Sequence, residues 1–251
     1  MKVIIMAPKG KMASLIVKAA ALNESIEIVG VVGPKGRDYI GKDAGEVAIL
    51  GYNLGTKVTD NLEDCIENCD VVVDFSTVEL SMAVLKTVLK HNKALICGTT
   101  GFSQEQVDML HAAASQIPVL HASNTSYVVN LMYRLLETAA KGLEGRSDID
   151  LIEMHGNAKK DAPSGTAKEM AEVITGAMKN ESAASTVNFN SIRSGDIPSS
   201  HTVLFGCMGE RLEITHHAYN WDCYAKGACD AVLFLSGKGK GLYTMKDVIS
   251  I

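Results

Sequence analysis

Lys2-Val3-Ile4-Ile5-Met6-Ala7-Pro8-Lys9-Gly10-Lys11-Met12-Ala13 is the stretch on which the reading of the fold turns. Val3 to Met6 is unbroken apolar sequence, the mark of a strand covered on both faces. Residues 12–22 follow with Met12, Leu15, Ile16, Ala19 and Ala20 at helical spacing. The same alternation then repeats. Residues 26–32, 71–75, 94–97 and 118–120 read as strands, and residues 62–68, 78–89 and 104–114 as helices. Near-continuous apolar strands alternating with helices predict an α/β fold, a Rossmann-type parallel sheet with helices on both sides.

Beyond Asn124 the texture changes. Residues 130–140 and 167–178 read as helices, and residues 149–153, 186–192, 201–206 and 210–216 as strands separated by turn residues. That pattern predicts an α+β domain, an open mixed sheet with helices on one face. A further helix at 224–235, with the glycine- and lysine-rich 237–241 and the tail after it, is expected to pack back onto the first domain. The predicted division is 1–125 plus 219–251 against 126–218.

Composition narrows the class. The chain has 251 residues, 47% hydrophobic and 21% charged, with a net charge of −5. It is an ordinary globular composition, and the negative balance argues against nucleic acid or an anionic membrane as main partner. The six cysteines include no C-x-x-C pair and none joins a histidine at zinc-ligand spacing, so reduced thiols and no metal site are expected. The chain opens directly into a strand, and no run reaches the ~20 apolar residues of a membrane span. The cytoplasm is the expected location.

The turn after the first strand is where a dinucleotide fold brings backbone N–H groups and a helix N-terminus to a pyrophosphate. Only Gly10 of the usual glycines is present; Ala7 and Ala13 stand at the other small-residue positions, with Lys9 and Lys11 beside them. The second strand ends in Gly33-Pro34-Lys35-Gly36-Arg37, without the acid that holds the ribose hydroxyls of NAD. Lys35 or Arg37 could pair with a 2′-phosphate, which favours NADPH while leaving NADH open. Asp74-Phe75-Ser76-Thr77 and Gly98-Thr99-Thr100-Gly101-Phe102 fall at the ends of later strands. There the glycines permit close approach to a flat ring, and threonine hydroxyls and amides can bond a carboxamide.

The most telling segment is Glu153-Met154-His155-Gly156-Asn157-Ala158-Lys159-Lys160-Asp161-Ala162-Pro163-Ser164-Gly165-Thr166-Ala167. Ser164, Gly165 and Thr166 open a helix, so their N–H groups and hydroxyls form an anion cradle, with lysines just upstream. The plainer reading, in which Ser164 merely caps the helix, is compatible with that. In Glu213-Ile214-Thr215-His216-His217, strand alternation puts the two histidines on opposite faces, so only one can face a cleft.

These residues resemble the 4-hydroxy-tetrahydrodipicolinate reductase (dihydrodipicolinate reductase) family over nearly the whole chain. The resemblance rests on Asp43-Ala44-Gly45-Glu46, Asp74-Phe75-Ser76, Gly98 to Phe102, Asn124 to Asn130, Glu153 to Ala167, Ile192-Arg193 with Gly195-Asp196-Ile197, His201 to Phe205, Glu210 to His216, Gly227-Ala228 and Gly241 to Tyr243. It implies an N-terminal dinucleotide-binding domain, a C-terminal substrate and oligomerisation domain, a homotetramer, and pyridine-nucleotide-dependent reduction of a cyclic imine or enamine dicarboxylate in lysine and diaminopimelate synthesis.

Carried over residue by residue, the resemblance implies His155 and Lys159 as catalytic, and Gly156, Lys159, Ser164, Gly165 and Thr166 as substrate-binding. It implies cofactor contacts at Ala7, Lys9, Gly10, Lys11 and Met12, at Gly33, Lys35 and Arg37, at Phe75 and Ser76, at Gly98, Thr99 and Thr100, and at Ser123, Asn124 and Tyr127. The expected arrangement faces the 155–166 segment toward the nicotinamide across an interdomain gap that closes. The chain departs from the family at Ala7 and Ala13, at Gly156 in place of a second histidine, and at Val128, Ser199-Ser200 and Trp221; the 183–190 hairpin is short. Two other readings stay open: a relative that reduces another cyclic imino acid, and a homologue that binds ligand without turnover.

Overall fold

The structure is a computed structural model and describes residues 1–179 and 187–249. Residue 186, where a strand is expected to start, and the first half of the 183–190 hairpin lie outside those residues. The chain divides into two compact units, Met1–Tyr127 with Asp222–Ile251, and Val128–Trp221.

In the first unit β1 (Lys2–Met6), α1 (Lys11–Ala21), β2 (Glu27–Val32), α2 (Ala44–Val47), β3 (Val58–Thr59), β4 (Val71–Asp74), α3 (Val78–Lys90), β5 (Ala94–Cys97), α4 (Gln104–Ala112) and β6 (Pro118–His121) succeed one another. The second unit holds nearly all of α5 (Tyr127–Leu143), then β7 (Asp148–His155), α6 (Gly165–Ala177), β8 (Asn188–Arg193), β9 (Ser199–Cys207) and β10 (Glu210–Ala218). The chain then returns to the first unit with α7 (Asp222–Phe234), β11 (Gly241–Tyr243) and α8 (Met245–Val248).

The first unit is built on a seven-stranded sheet, β11-β6-β5-β4-β1-β2-β3, parallel at every pairing. Every residue of β4 and β5 is buried, because alternate side chains enter different cores. Val3, Ile5, Val71, Val73 and Ile96 meet α1 and α7 on one face. Ile4, Met6, Val72, Leu95 and Val119 meet α3 and α4 on the other. Truncating one such fully buried side chain, Ile96 for instance, to alanine costs about 2–5 kcal/mol. Strand order reverses between β1 and β4, so the loops leaving their carboxyl ends flank the switch point where such sheets bind ligands.

The second unit is a four-stranded mixed sheet, β10-β9-β7-β8, with β8 parallel to β7 and β9 antiparallel to both its neighbours. Ile149, Leu151, Val203 and Phe205 on one face pack against Met132, Tyr133 and Leu136 of α5 and Ala167, Met170 and Ile174 of α6. Ile152, Met154 and Leu204 lie on the opposite face, only partly covered.

Three details differ from the sequence-based reading. Residues 62–68 form two 3-10 turns and not one helix, because Asn61 caps the first through Glu63 N and Cys65 then turns out of helical geometry (φ −131°). Helix α5 starts at Tyr127, earlier than the apolar spacing indicates. The short β3, β11, α2 and α8 carry too few residues for any periodicity to register. All six cysteines are free thiols.

Candidate active site

The turn between β1 and α1 is tight. Ala7 has φ 52°, a conformation that favours glycine, and it is held there by Ala7 N donating to Val32 O at 2.7 Å and Gly10 N donating to Ala7 O at 2.8 Å. A Cβ on Gly10 would stand 3.2 Å from Ala7 O. Gly10 is also the N-cap of α1 and offers no side-chain cap, so Lys11 and Met12 begin a helix end whose backbone donors suit an anion. Lys9 lies over the Tyr39 ring, 5.5 Å from its centroid. Tyr39 in turn requires Gly33, since a Cβ there would come within 2.6 Å of the ring. The buried tyrosine thereby anchors a loop whose Lys35 and Arg37 are exposed and make no ion pair among the described residues.

The loops after β4 and β5 are locked together. Ser76 N donates to Asp74 Oδ1 and to Thr99 Oγ1, both at 3.1 Å, and Ser81 Oγ donates to Thr99 Oγ1 at 2.9 Å. The Phe75 ring lies so close over Gly98 that a Cβ there would be 2.1 Å from it. These contacts correct the expectation that both threonine hydroxyls are available to a carboxamide. Thr99 is buried and its hydroxyl is engaged inward, whereas Thr100 is exposed. Asp74 is wholly buried, and burial pushes its carboxyl up from the ordinary range. Farther along the same edge, His111 Nε2 and His121 Nδ1 lie 3.1 Å apart, and burial holds the His121 ring below its ordinary value. After β6, Ser123 is exposed, Asn124 Oδ1 accepts from Ser126 N at 2.9 Å, and Tyr127 is exposed. Thr125 Oγ1 donates to Tyr224 O at 2.7 Å, and Gly227 allows this close approach: its Cβ would overlap Thr125 O.

In the second unit the carboxyl end of β7 gathers the other set. Glu153 and His155, two apart on a strand, share a face, and His155 Nδ1 lies 2.5 Å from Glu153 Oε2. Arg193 on β8 donates to the same carboxylate through Nη1 at 2.9 Å and Nη2 at 2.7 Å. Burial alone would raise the Glu153 carboxyl, but its hydrogen bonds, Arg193 foremost, outweigh that and hold it at about 2. His155 is held below its ordinary value, chiefly by burial, with Glu153 pulling the other way. Lys159 Nζ pairs with Asp161 at 2.9 Å.

Ser164 caps α6: its Oγ accepts from Ala167 N at 3.1 Å. The same oxygen lies 3.1 Å from Nε2 of His201, a fully buried ring set edge-on to His155 and pushed down to about 3 by burial. Ser164 is therefore buried and bonded on two sides, while Gly165 is exposed and Thr166 half-covered at the helix entrance. Gly156 sits under a turn: its N donates to Ile197 O at 2.8 Å, and an added Cβ would be 3.1 Å from Gly195 O. A larger residue at 156 would need that turn to give by a few tenths of an ångström. On β10, His216 is buried and His217 exposed, the alternation expected of that strand.

His201 escaped sequence reading because nothing local distinguishes it from other strand residues. Glu153 carries a readable signal, an acid two residues before a histidine in a strand, but its partner Arg193 lies on another strand. No group of His, Cys, Asp and Glu that could hold a metal exists among the described residues.

A parallel sheet with an anion-type turn at its switch point, joined to an α+β unit that collects cationic groups at a helix entrance, is the build of a Rossmann-type oxidoreductase. Residues 1–125 match the family described as dihydrodipicolinate reductase, N-terminus, and residues 128–249 match dihydrodipicolinate reductase, C-terminus. The chain belongs to the dihydrodipicolinate reductase family. Relatives named 4-hydroxy-tetrahydrodipicolinate reductase in Burkholderia ambifaria (strain MC40-6) and Burkholderia multivorans are 39% and 38% identical, with both chains covered in full. The dipicolinate-bound dihydrodipicolinate reductase of Paenisporosarcina sp. TG-14 superposes with a TM-score of 0.78 at 25% identity, covering 100% of this chain and 99% of that one.

Proposed function

We propose that this chain reduces 4-hydroxy-tetrahydrodipicolinate to tetrahydrodipicolinate, as an NAD(P)H-dependent oxidoreductase of lysine and diaminopimelate synthesis. The observation that carries this reading is the cluster at the end of β7, where His155 and Lys159 stand before the α6 entrance in a family member. A carboxylate of the cyclic substrate is held by the N–H groups of Gly165 and Thr166 and the Thr166 hydroxyl, with Lys159 supplying charge. Ser164 keeps the entrance in shape as the cap, and Gly156 belongs to the same pocket.

The first unit fits a nicotinamide dinucleotide. Ala7 to Met12 cradle the pyrophosphate, and the close-packed Phe75-Ser76 and Gly98-Thr99-Thr100 loops, with Ser123, Asn124 and Tyr127, receive the nicotinamide end. Loss of water from the 4-hydroxy compound would give the ring its C=C–C=N system, and a bound dinucleotide would supply hydride to it. Negative charge then develops on the substrate, and a proton must quench it. Lys159 as ammonium, or His155 once protonated, holds that proton and also steadies the carboxylates. Lys35 and Arg37 suit a 2′-phosphate, so NADPH is the preferred cofactor.

The proposed assembly is a homotetramer, supported by the half-covered sheet face bearing Ile152, Met154 and Leu204. No helix among the described residues is long and apolar enough to cross a membrane. Six free thiols suit a reducing compartment, and the cytoplasm is the proposed location. The test is a steady-state assay of NADPH and NADH oxidation with freshly generated substrate. Substrate-dependent oxidation supports the reading; cofactor and dipicolinate binding without turnover would point to a binding homologue.

A further inference from the structure

We propose that Glu153 and Arg193 are positioning residues that select which nitrogen of His155 faces the substrate and tie down the loop bearing Lys159. The inference rests on the roles of His155 and Lys159 proposed above.

Glu153 is fully buried, an unfavourable place for a carboxylate without a partner. Arg193, the register neighbour of His155 on β8, meets it with a two-pronged fork. A carboxylate so held stays ionised and can only accept hydrogen bonds. The hydrogen in its contact with His155 therefore sits on Nδ1, and Nε2 is the nitrogen left for the substrate. The other groups around this ring are Lys159 from the loop, Arg193 from β8 and His201 from β9, whose ring centroid is 5.3 Å away. The two cations oppose a charged imidazole, as burial does. Glu153 alone favours it, so the carboxylate is what keeps a proton on Nε2 within reach.

Arg193 makes a second connection. Its Nη2 donates at 2.5 Å to the carbonyl of Asp161, the residue whose side chain pairs with Lys159. The turn following β8 adds Ser194 N to His155 O at 2.9 Å, Gly156 N to Ile197 O at 2.8 Å and Asn157 N to Gly195 O at 3.0 Å. One guanidinium thus joins the charge behind His155 to the backbone that carries Lys159.

A merely structural staple between β7 and β8 would leave the imidazole indifferent, so the test reads the ring itself. In the full-length protein with 15N-labelled histidine, the neutral His155 ring is expected as the Nδ1–H form; the Nε2–H form would overturn the proposal. Glu153→Gln is expected to lower the His155 titration midpoint and to cut kcat about 10–100-fold, with KM for the nicotinamide nucleotide unchanged. Unchanged kcat, or a loss of kcat with no movement of the titration, would overturn it. Arg193→Lys keeps the charge but loses the fork, and is expected to weaken dipicolinate binding about tenfold while the tautomer persists. Unaltered dipicolinate affinity would overturn the loop connection. If Glu153→Gln does not fold, the spectrum of the unaltered protein and the Arg193→Lys titration decide. Failure of the unaltered protein to turn over its substrate would sink the proposed function and leave the tautomer result standing.

Discussion

Lys159 is the residue on which the chemistry leans hardest, because its ammonium can both bind a carboxylate and deliver a proton. Lys159→Ala is expected to lower kcat by about 100-fold or more with nucleotide affinity retained; an unchanged rate would remove the residue from the mechanism. His201 supplies a second residue-scale prediction. Burial holds its ring at about 3, against an ordinary value of 6.5, so the unfolded chain takes up a proton where the native one does not. Stability is therefore full above pH 6.5 and declines as pH falls toward 3. The Glu153 carboxylate, held at about 2 against 4.5, adds a further loss below pH 4.5. Tm should fall across both windows, and His201→Gln should flatten the slope between pH 6.5 and 4.5. A variant with an undiminished slope would show that His201 is not its source.

Among the elements, the loop after β2 bears on cofactor choice. Gly33 and the buried Tyr39 anchor it, which leaves Lys35 and Arg37 presented to solvent. Arg37→Asp should weaken NADPH binding about tenfold or more and NADH binding much less, measured by fluorescence titration; equal losses would refute the 2′-phosphate assignment. The strands and helices around this loop were legible in advance because β1, β4 and β5 are apolar on both faces and α1 and α3 keep helical spacing. Short elements such as β11, three residues in a glycine- and lysine-rich tail, leave no periodic trace. The site was legible only in part. The β7–α6 segment announces itself through residue type and spacing. Pairings such as Ser164 with His201 and Glu153 with Arg193 join residues 37 and 40 positions apart and become visible only when the sheet is assembled. Thr99 illustrates the converse: its place at a strand end is right for a ligand contact, but Ser76 and Ser81 engage its hydroxyl inward.

At the scale of the whole molecule, each unit has its own core, and each bears one part of the proposed reaction: nucleotide in the first, dicarboxylate in the second. Among the described residues, α5 and α6 shield one face of the second unit's sheet, and Ile152, Met154 and Leu204 on the other face are partly covered, which is the basis for the proposed assembly. Ile152→Lys on the other face should shift the mass measured by light scattering from a tetramer to smaller species; a monomeric unaltered protein would contradict the assembly. The β7–α6 segment is proposed to serve reduction of a cyclic dicarboxylate. The most direct test is the absorbance of NADPH at 340 nm with freshly generated 4-hydroxy-tetrahydrodipicolinate, in the unaltered protein and in Lys159→Ala. Oxidation is expected to depend on substrate, to match product one for one, and nearly to vanish in the variant. Substrate-independent oxidation, or equal rates in the two proteins, would contradict the proposal.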